Sequence, residues 1–202
     1  MRKIVVTDLD GTLLARDSYY RAIFKFGRRM KPLLHLPRFL IGLTLYAAKL
    51  KNRSHLKALS FRIYFKGVST SRLLRHRHDF INSLEINQAV LDKVREYQQN
   101  GYEIYIVTAS PDLYVKEITD KFGFNGYLCT KVDWQHNRLS GKLISDNCIN
   151  EEKVRRIRED LLKNETAHIV AFGNSKGDHA MFKLADYYYY VKKGLPVKNH
   201  PF

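Results

Sequence analysis

The chain has 202 residues, a hydrophobic content of 45% and a formal net charge of +15. A chain of this length forms one domain or a core with a small insertion, and its apolar content excludes a disordered protein. Cys129 and Cys148 are too few for a disulfide framework and lack the spacing of a zinc site. We therefore expect ordinary thiols in a reducing compartment.

The excess positive charge lies almost entirely in one segment. Residues 15–80 contain sixteen Lys and Arg but only two acids, Asp17 and Asp79, so this segment has a net charge of +14. The remainder of the chain is nearly neutral, with nineteen bases and eighteen acids. A basic block of this kind favours phosphate-rich partners such as anionic lipid or nucleic acid. A solvated basic face without a partner is the alternative.

The first predicted strand, over residues 3–8, ends in acidic residues. Asp8 and Asp10 follow a β-branched apolar run, and Gly11 then breaks the strand. Residues i and i+2 of a strand point the same way, so the two carboxylates leave the sheet edge together. Such a pair repels unless a cation lies between its members, and a hard cation such as Mg²⁺ would make it a phosphate-handling site. An exposed strand end with an Asp-Gly turn is the alternative.

Residues 15–87 are predicted to be helical, because they hold long periodic runs, few glycines and no convincing strand pair. The expected helices lie near 17–29, 36–50, 53–65 and 70–84. The apolar run Phe39–Ala48 is too short to span a bilayer, which takes about 20 residues. It suits either a buried helix of this segment or an interfacial helix between basic residues.

From residue 88 onwards, helices and strands alternate in the way that is typical of a parallel sheet with crossover helices. The helices are expected at Gln88–Gln99, from Pro111 to about Phe122, at Glu151–Lys163, and from the 173–178 loop to about Ala185. The strands are expected at Tyr102–Val107, Ala167–Phe172 and Tyr187–Val191, with short strands and turns over 126–144.

Polar residues follow three of the predicted strands. They are Asp8 and Asp10, then Thr108 and Ser110, then Asn174 and Asp178. In open α/β sheets, ligands bind outside the carboxyl ends of the strands. The three clusters together predict a ligand site at that edge of the sheet.

The run Asp8–Leu13, with the sequence DLDGTL, resembles the first motif of the haloacid dehalogenase-like hydrolases. Most members of that superfamily are Mg²⁺-dependent phosphatases that work through an aspartyl-phosphate. Thr108, Lys153 and the Asn174–Asp178 loop resemble the later motifs in order. The resemblance implies an α/β fold with a Rossmann-like, doubly wound parallel sheet. Residues 1–14 and 88–202 would form this core, and residues 15–87 would form an inserted, all-helical, strongly basic cap.

The resemblance also implies roles for the matching residues. Asp8 would be the nucleophile, Asp10 the general acid and base, Thr108 a donor to a phosphoryl oxygen, and Lys153 the cation that offsets phosphoryl charge. Ala109 and Ser110 would bind substrate through a backbone amide, and Mg²⁺ would be held by Asp8, Asp10, Asn174 and Asp178. Asn174 stands where family phosphatases usually carry Asp. This departure leaves two alternatives to a fully active enzyme, which are weaker metal binding and an inactive homologue.

The helical insertion and the sequence Thr108-Ala109-Ser110 resemble the phosphoserine-phosphatase-like branch. In that branch Asp17 falls at an acidic position that contacts the substrate's amino group. The hydrophobic, basic cap is similar in character to that of bacterial phosphatidylglycerophosphate phosphatases. The implied substrate is a phosphorylated small molecule or lipid, with an anionic phospholipid phosphate at the membrane surface as the first candidate.

The resemblance and the cysteine usage lead us to expect a cytoplasmic enzyme, peripheral on the inner face of the membrane if its substrate is a lipid. We do not expect a nucleic-acid partner, because no recognition motif accompanies the basic charge. Two alternatives remain at this point. One is a phosphatase of small soluble esters such as phosphoserine, and the other is a decayed homologue that binds phosphate or lipid without turnover.

Overall fold

The structure is a computed structural model that describes residues 1–27, 44, 53–163 and 165–199. The helix predicted at 36–50, with its apolar run, lies outside the described residues except for Thr44. The chain divides into two compact units. Unit 1 consists of Met1–Ser18, Ser83–Thr130 and Asn147–Phe202, and unit 2 consists of Tyr19–Asn82 and Lys131–Asp146. None of the described helices is both long and apolar enough to span a bilayer.

The strands are β1 Arg2–Thr7, β2 Glu103–Pro111, β3 Gly126–Thr130, β4 Val132–Gln135, β5 Arg138–Leu143, β6 Ala167–Gly173, β7 Tyr187–Lys192 and β8 Leu195–Asn199. The helices are α1 Ser18–Phe26, α2 Arg53–Phe65, α3 Thr70–Asn82, α4 Gln88–Gln99, α5 Val115–Phe122, α6 Glu151–Arg156 and α7 His179–Leu184. A π-helical turn, Ile157–Leu161, continues α6, and a 3-10 turn, Lys176–Asp178, precedes α7.

Unit 1 is built on a six-stranded sheet in the order β3-β2-β1-β6-β7-β8. Its strands are parallel except β8, which runs antiparallel to β7. The central strand β1 pairs with β2 through Val5 and Ile104, and with β6 through Val5 and Val170. Because the chain passes from β1 to β2 on one side and later to β6 on the other, β1 ends at a topological switch point, where such sheets bind ligands. The predicted doubly wound parallel sheet is confirmed.

The helix α4 has the predicted bounds, and its apolar face of Val90, Leu91 and Val94 is buried. The helix α5 does not begin at Pro111 as predicted. Pro111 is instead the last residue of β2, where it pairs with Thr130 after a shift in register. A proline is tolerated at such an irregular strand end, since its missing N–H breaks no regular ladder.

The strand β8 was not predicted. It follows β7 through a turn in which Lys193 and Gly194 both have positive φ, 50° and 80°. A two-residue turn with two positive φ values is the type that joins antiparallel strands, because its twist matches theirs. The Lys-Gly pair was therefore the available signal for this hairpin.

Unit 2 contains α1 beyond its first residue, the helices α2 and α3, and the antiparallel hairpin of β4 and β5. The three helices described in this unit lie where helices were predicted, but the hairpin comes from outside the 15–87 segment. The loop between α2 and α3 binds β5 through the backbone: Gly67 N–H donates to Leu139 O, and Leu139 N–H donates to Val68 O. Sequence patterns did not show this grouping because the bonded residues lie about seventy positions apart.

Candidate active site

The carboxyl edge of the sheet in unit 1 carries the predicted polar clusters. Asp8 follows β1, Thr108–Ser110 lie in the last part of β2, and the Asn174–Asp178 loop follows β6. Side-chain contacts join the ends of these strands. Lys153 connects Asp8 to Asp178, and Ser110 connects β2 to Asp10.

Lys153 is the centre of a buried ion triad. Its Nζ lies 2.7 Å from Asp8 Oδ1 and 2.7 Å from Asp178 Oδ1. Lys153 comes from the first turn of α6 and is 1% exposed. Burial by itself would lower the pKa of this lysine, but the two carboxylates hold its pKa above the ordinary value. The ammonium is therefore charged, and it ties the end of β1 to the loop after β6.

Asp8 is 9% exposed, and its N–H donates to Phe172 O at 2.9 Å, which continues the β1–β6 pairing past the end of the strand. Burial raises the pKa of Asp8 to about 7; Lys153 opposes this rise, while Asp178 and Asp10 add to it. Lys153 thus only partly offsets the effect of burial on this carboxyl. A further cation beside Asp8 would favour its ionised form.

Asp178 uses both of its carboxylate oxygens within the protein. Oδ1 binds Lys153, and Oδ2 accepts from the N–H of Asn174 at 3.2 Å, the N–H of Ser175 at 3.0 Å and Ser175 Oγ at 2.9 Å. Burial would raise the pKa of Asp178, but Lys153 and the hydrogen bonds from Ser175 together outweigh it, and the pKa is lowered. Asp178 therefore shapes its loop and anchors Lys153, and its role as a metal ligand stays a prediction.

Two glycines allow the loops to approach this closely. A Cβ on Gly173 would lie 2.6 Å from the Cβ of Asp178, closer than real Cβ atoms come. Gly11 has a φ of +76°, and a Cβ there would lie 2.1 Å from Asn174 Nδ2. The amide of Asn174 thus packs on the turn that follows Asp10, beside the first motif.

Asp10 binds neutral donors. Ser18 N–H donates to Oδ1 at 2.7 Å, and Ser110 Oγ donates to Oδ2 at 2.5 Å. Burial raises the pKa of Asp10, and the charge of Asp17 adds to the rise. Ser110 is itself bound by the hydroxyl of Tyr114 at 3.2 Å.

Sequence reasoning did not single out Ser18 or Tyr114. Ser18 is a residue type that favours helix starts, and it is the first residue of α1. A serine at this position predicts a helix N-cap and does not indicate a residue of the active site. Tyr114, which is fully buried, lies before α5 and has no pattern that marks it.

The predicted substrate-binding residues have varied surroundings. The N–H of Ser110 donates to Thr108 Oγ1 at 3.1 Å, so this amide already has a partner within the strand end. Ala109 O accepts from Thr130 Oγ1 at 2.7 Å, which holds β2 against β3. Asp17 is exposed, and its influence on the site is through its charge near Asp10.

The donor set at this edge suits a hard divalent cation. Asp8, Asp10 and Asn174 offer carboxylate and amide oxygens, the ligands that Mg²⁺ prefers, and the charges of Asp178 and Asp10 both act to raise the pKa of Asp8. Among residues 1–27, 44, 53–163 and 165–199, no three His, Cys, Asp or Glu side chains converge as a metal cluster. A Mg²⁺ ion bound to Asp8 and Asp10 would take its remaining ligands from amide oxygens or water.

The family model of the haloacid dehalogenase-like hydrolases matches residues 5–183. The chain belongs to this family. The matched range includes both carboxylates of the first motif, Lys153 and the loop of Asp178. The resemblance that the four motifs indicated is confirmed, and the chain is a hydrolase of this family.

Relatives and solved structures agree with this assignment. The chain is 29% identical to Protein CicA of Caulobacter vibrioides over 199 residues, which cover 96% of this chain and 88% of that protein. It is 23% identical to a 2-hydroxy-3-keto-5-methylthiopentenyl-1-phosphate phosphatase of Lysinibacillus sphaericus, over 92% of this chain and 80% of that one.

A solved structure of a phospho-aspartyl intermediate analogue of phosphoserine phosphatase superposes with a TM-score of 0.65 and 17% identity. The superposition covers 94% of this chain and 86% of that chain. At this identity the likeness concerns the fold, and the fold is the one that the phosphoserine-phosphatase-like resemblance implied.

Proposed function

We propose that this protein is a Mg²⁺-dependent phosphatase that hydrolyses a phosphomonoester through an aspartyl-phosphate on Asp8. The observation that carries the proposal is the buried Lys153, which binds both Asp8 and Asp178 at the switch point of the sheet. A buried ammonium between two carboxylates at a ligand-binding edge suits the handling of phosphoryl groups. Family membership supports the same chemistry.

In the first step, a carboxylate oxygen of Asp8 attacks phosphorus in line with the ester oxygen. The bond from phosphorus to Asp8 forms as the ester bond breaks, and Asp10 donates its proton to the departing oxygen. The Lys153 ammonium stabilises charge on the equatorial phosphoryl oxygens, and Thr108 donates a hydrogen bond to one of them. The products of this step are an alcohol, the acyl phosphate on Asp8 and an ionised Asp10.

In the second step, the ionised Asp10 takes a proton from a water molecule that attacks the phosphorus of the acyl phosphate. The bond between phosphorus and Asp8 breaks, which restores the Asp8 carboxylate and releases inorganic phosphate. Asp10 regains its proton, so the site returns to its starting state.

Asp8, Asp10 and Asn174 would hold the cation, and Asp178 would act through Lys153 and the loop. When bound, Mg²⁺ supplies positive charge that offsets the repulsion among the carboxylates and the incoming phosphate. Asp178 completes the predicted ligand set and stays a predicted ligand, because partners within the protein occupy both oxygens of Asp10 as well.

The test is turnover of a broad panel of phosphomonoesters with Mg²⁺ and with a chelator in its place. We expect hydrolysis that needs Mg²⁺ and falls to background in Asp8→Asn, which keeps the shape of the side chain and removes the nucleophile. Asp92→Asn, on the exposed face of α4, is the matched control and should keep full activity. Absence of hydrolysis of every ester, or an active Asp8→Asn variant, would contradict the proposal.

For the substrate, we infer an anionic phospholipid phosphate taken from a membrane surface. Tyr20 and Phe24 lie one turn apart on α1 and are 64% and 85% exposed, with Arg21 and Lys25 next to them. Exposed aromatic residues beside basic ones suit the interface of an anionic bilayer. The charge of +14 over residues 15–80 supports this reading, since each basic residue near such a surface contributes about 1 kcal/mol.

Co-sedimentation with phosphatidylglycerol vesicles, beside neutral vesicles, tests this inference. Binding to the anionic vesicles should weaken as salt rises, because the Debye length falls from about 10 Å at 0.1 M to about 3 Å at 1 M. Phe24→Ser should weaken the binding more than Leu74→Ser, which changes an exposed apolar residue on α3. A protein that ignores anionic vesicles, or that strongly prefers a small soluble ester, would instead be a small-molecule phosphatase. The relative from Lysinibacillus sphaericus is named for an ester of that kind.

A further inference from the structure

A chain of buried hydroxyl groups leads to Asp10. Ser18 Oγ donates to Tyr114 Oη at 3.1 Å, Tyr114 Oη donates to Ser110 Oγ at 3.2 Å, and Ser110 Oγ donates to Asp10 Oδ2 at 2.5 Å. Ser18, Tyr114 and Ser110 are all buried. This series of hydrogen bonds begins at Ser18 in α1, continues through Tyr114 just before α5, and reaches Asp10 from Ser110 near the end of β2.

The same serine also binds the other oxygen of Asp10. The N–H of Ser18 donates to Asp10 Oδ1 at 2.7 Å, while its hydroxyl reaches Oδ2 through Tyr114 and Ser110. The hydroxyl of Ser18 also lies 3.4 Å from Ser110 Oγ, a weaker direct contact. The contacts therefore form a closed ring that starts and ends at Ser18. Such a ring sets both the position of the Asp10 carboxylate and its rotation about the Cβ–Cγ bond, and burial strengthens each hydrogen bond in it.

We propose that Tyr114 is a positioning residue for Asp10, and that its hydroxyl group aims the Asp10 carboxyl at the leaving oxygen of the ester. The proposal rests on the function proposed above, in which Asp10 gives that oxygen a proton. Tyr114 acts through Ser110, which separates its hydroxyl from Asp10 in the chain. Proton transfer in a transition state needs close alignment, so a carboxyl that can rotate transfers its proton less well.

A leaving-group comparison separates positioning of the acid from a general loss of structure. 4-Nitrophenolate departs without a proton, whereas the alkoxide of glycerol phosphate needs one. The ratio kcat/KM reports the steps up to formation of the acyl phosphate, which include the protonation. A variant with a misaligned acid should therefore lose kcat/KM for glycerol phosphate and keep most of it for 4-nitrophenyl phosphate.

Tyr114→Phe removes one oxygen atom and keeps the buried ring. We expect kcat/KM to fall about tenfold for glycerol phosphate and no more than about twofold for 4-nitrophenyl phosphate, part of the gain that general acids supply. Ser110→Ala, one step nearer to Asp10, should show a larger difference between the two esters. Ser18→Ala removes a hydroxyl that contacts Tyr114 and, at 3.4 Å, Ser110, and it should show a smaller difference, since its N–H still binds Oδ1.

Tyr189→Phe is the matched control. Its hydroxyl is bonded to that of Tyr97 at 3.0 Å, and its ring is buried in the same sheet unit, so it too loses one buried hydrogen bond. It should lower neither kcat/KM value. Thermal unfolding of all variants shows whether they are folded, and the graded pair Ser110→Ala and Ser18→Ala carries the test if Tyr114→Phe does not fold.

This inference would be overturned if Tyr114→Phe lowered kcat/KM equally for the two esters, or by no more than Tyr189→Phe does. Turnover by the wild-type protein would still support the proposed function in that case. A wild-type protein without Asp8-dependent turnover of either ester would overturn the proposed function, and this inference with it.

Discussion

Asp8 and Asp10 lie two residues apart at the end of one strand, yet they occupy different surroundings. Asp8 binds the ammonium of Lys153, whereas Asp10 binds an amide and a hydroxyl group. Burial raises the pKa of both carboxyls, but at Asp8 a full positive charge opposes the rise. Two identical groups can therefore take different tasks, because one contacts a buried cation and the other contacts neutral donors.

The largest effect should come from replacing each carboxylate in turn. Asp8→Asn has no nucleophile, so it should neither turn over nor become phosphorylated. Asp10→Asn keeps the nucleophile, so 4-nitrophenyl phosphate should still phosphorylate Asp8 while turnover falls by about 10²- to 10⁴-fold. Acid-quenched incorporation of labelled phosphate into the protein measures the difference. Label in Asp8→Asn, or none in Asp10→Asn, would remove the distinction between the two residues.

The second prediction concerns the charged side of the site. Lys153→Met removes the ammonium and leaves Asp8 and Asp178 as buried carboxylates without their shared cation. Breaking a buried ion pair in this way costs about 3–5 kcal/mol in the free energy of unfolding. Urea unfolding near neutral pH measures it. Lys116→Met, which removes an exposed ion pair with Asp120 on α5, is the control and should change the free energy of unfolding little.

A third change adds charge to the same side. Asn174→Asp places a carboxylate beside the turn of the first motif, where the cation is proposed to bind. The Mg²⁺ concentration for half-maximal activity should fall by up to about tenfold, since a nearby opposite charge strengthens binding. Asn137→Asp, in the turn between β4 and β5, adds the same charge elsewhere and should leave the Mg²⁺ requirement unchanged. An unaltered requirement in Asn174→Asp would place residue 174 outside the influence of the metal.

The smallest effect is expected at the ion pair of Glu152 with Arg155, whose side chain is 47% exposed. Arg155, with help from Arg156, lowers the pKa of Glu152 to about 2 against the opposing effect of burial. A carboxylate with a lowered folded-state pKa stabilises the fold above its unfolded-state pKa, and this contribution disappears as pH falls toward the folded-state value. Glu152→Gln should therefore cost about 1 kcal/mol or less at pH 7 and almost nothing near pH 2. Urea unfolding at both pH values checks this, and an equal cost at both would contradict the ion-pair origin.

Local patterns in the sequence determined much of the fold. The alternation of helix and strand after residue 88 predicted the parallel sheet, and the amphipathic spacing predicted α4 with its observed bounds. The strand ends at Asp8, Thr108 and Asn174 could be predicted to share one edge, because parallel strands bring their carboxyl ends together. Each of these inferences needs only neighbouring residues and the period of a helix or strand.

The tertiary structure decided which side chains of the site contact each other. Lys153 is a helical lysine that would ordinarily be exposed, and its burial depends on Asp8, 145 positions away in the chain. In the hydroxyl chain to Asp10, Ser18 and Tyr114 lie 96 positions apart, and Ser110 and Asp10 lie 100 positions apart. Asp178 matched a motif, but only its contacts with Lys153 and Ser175 show that its oxygens are already used. Pairing of this kind depends on distances between strands and loops, which no local period in the sequence encodes.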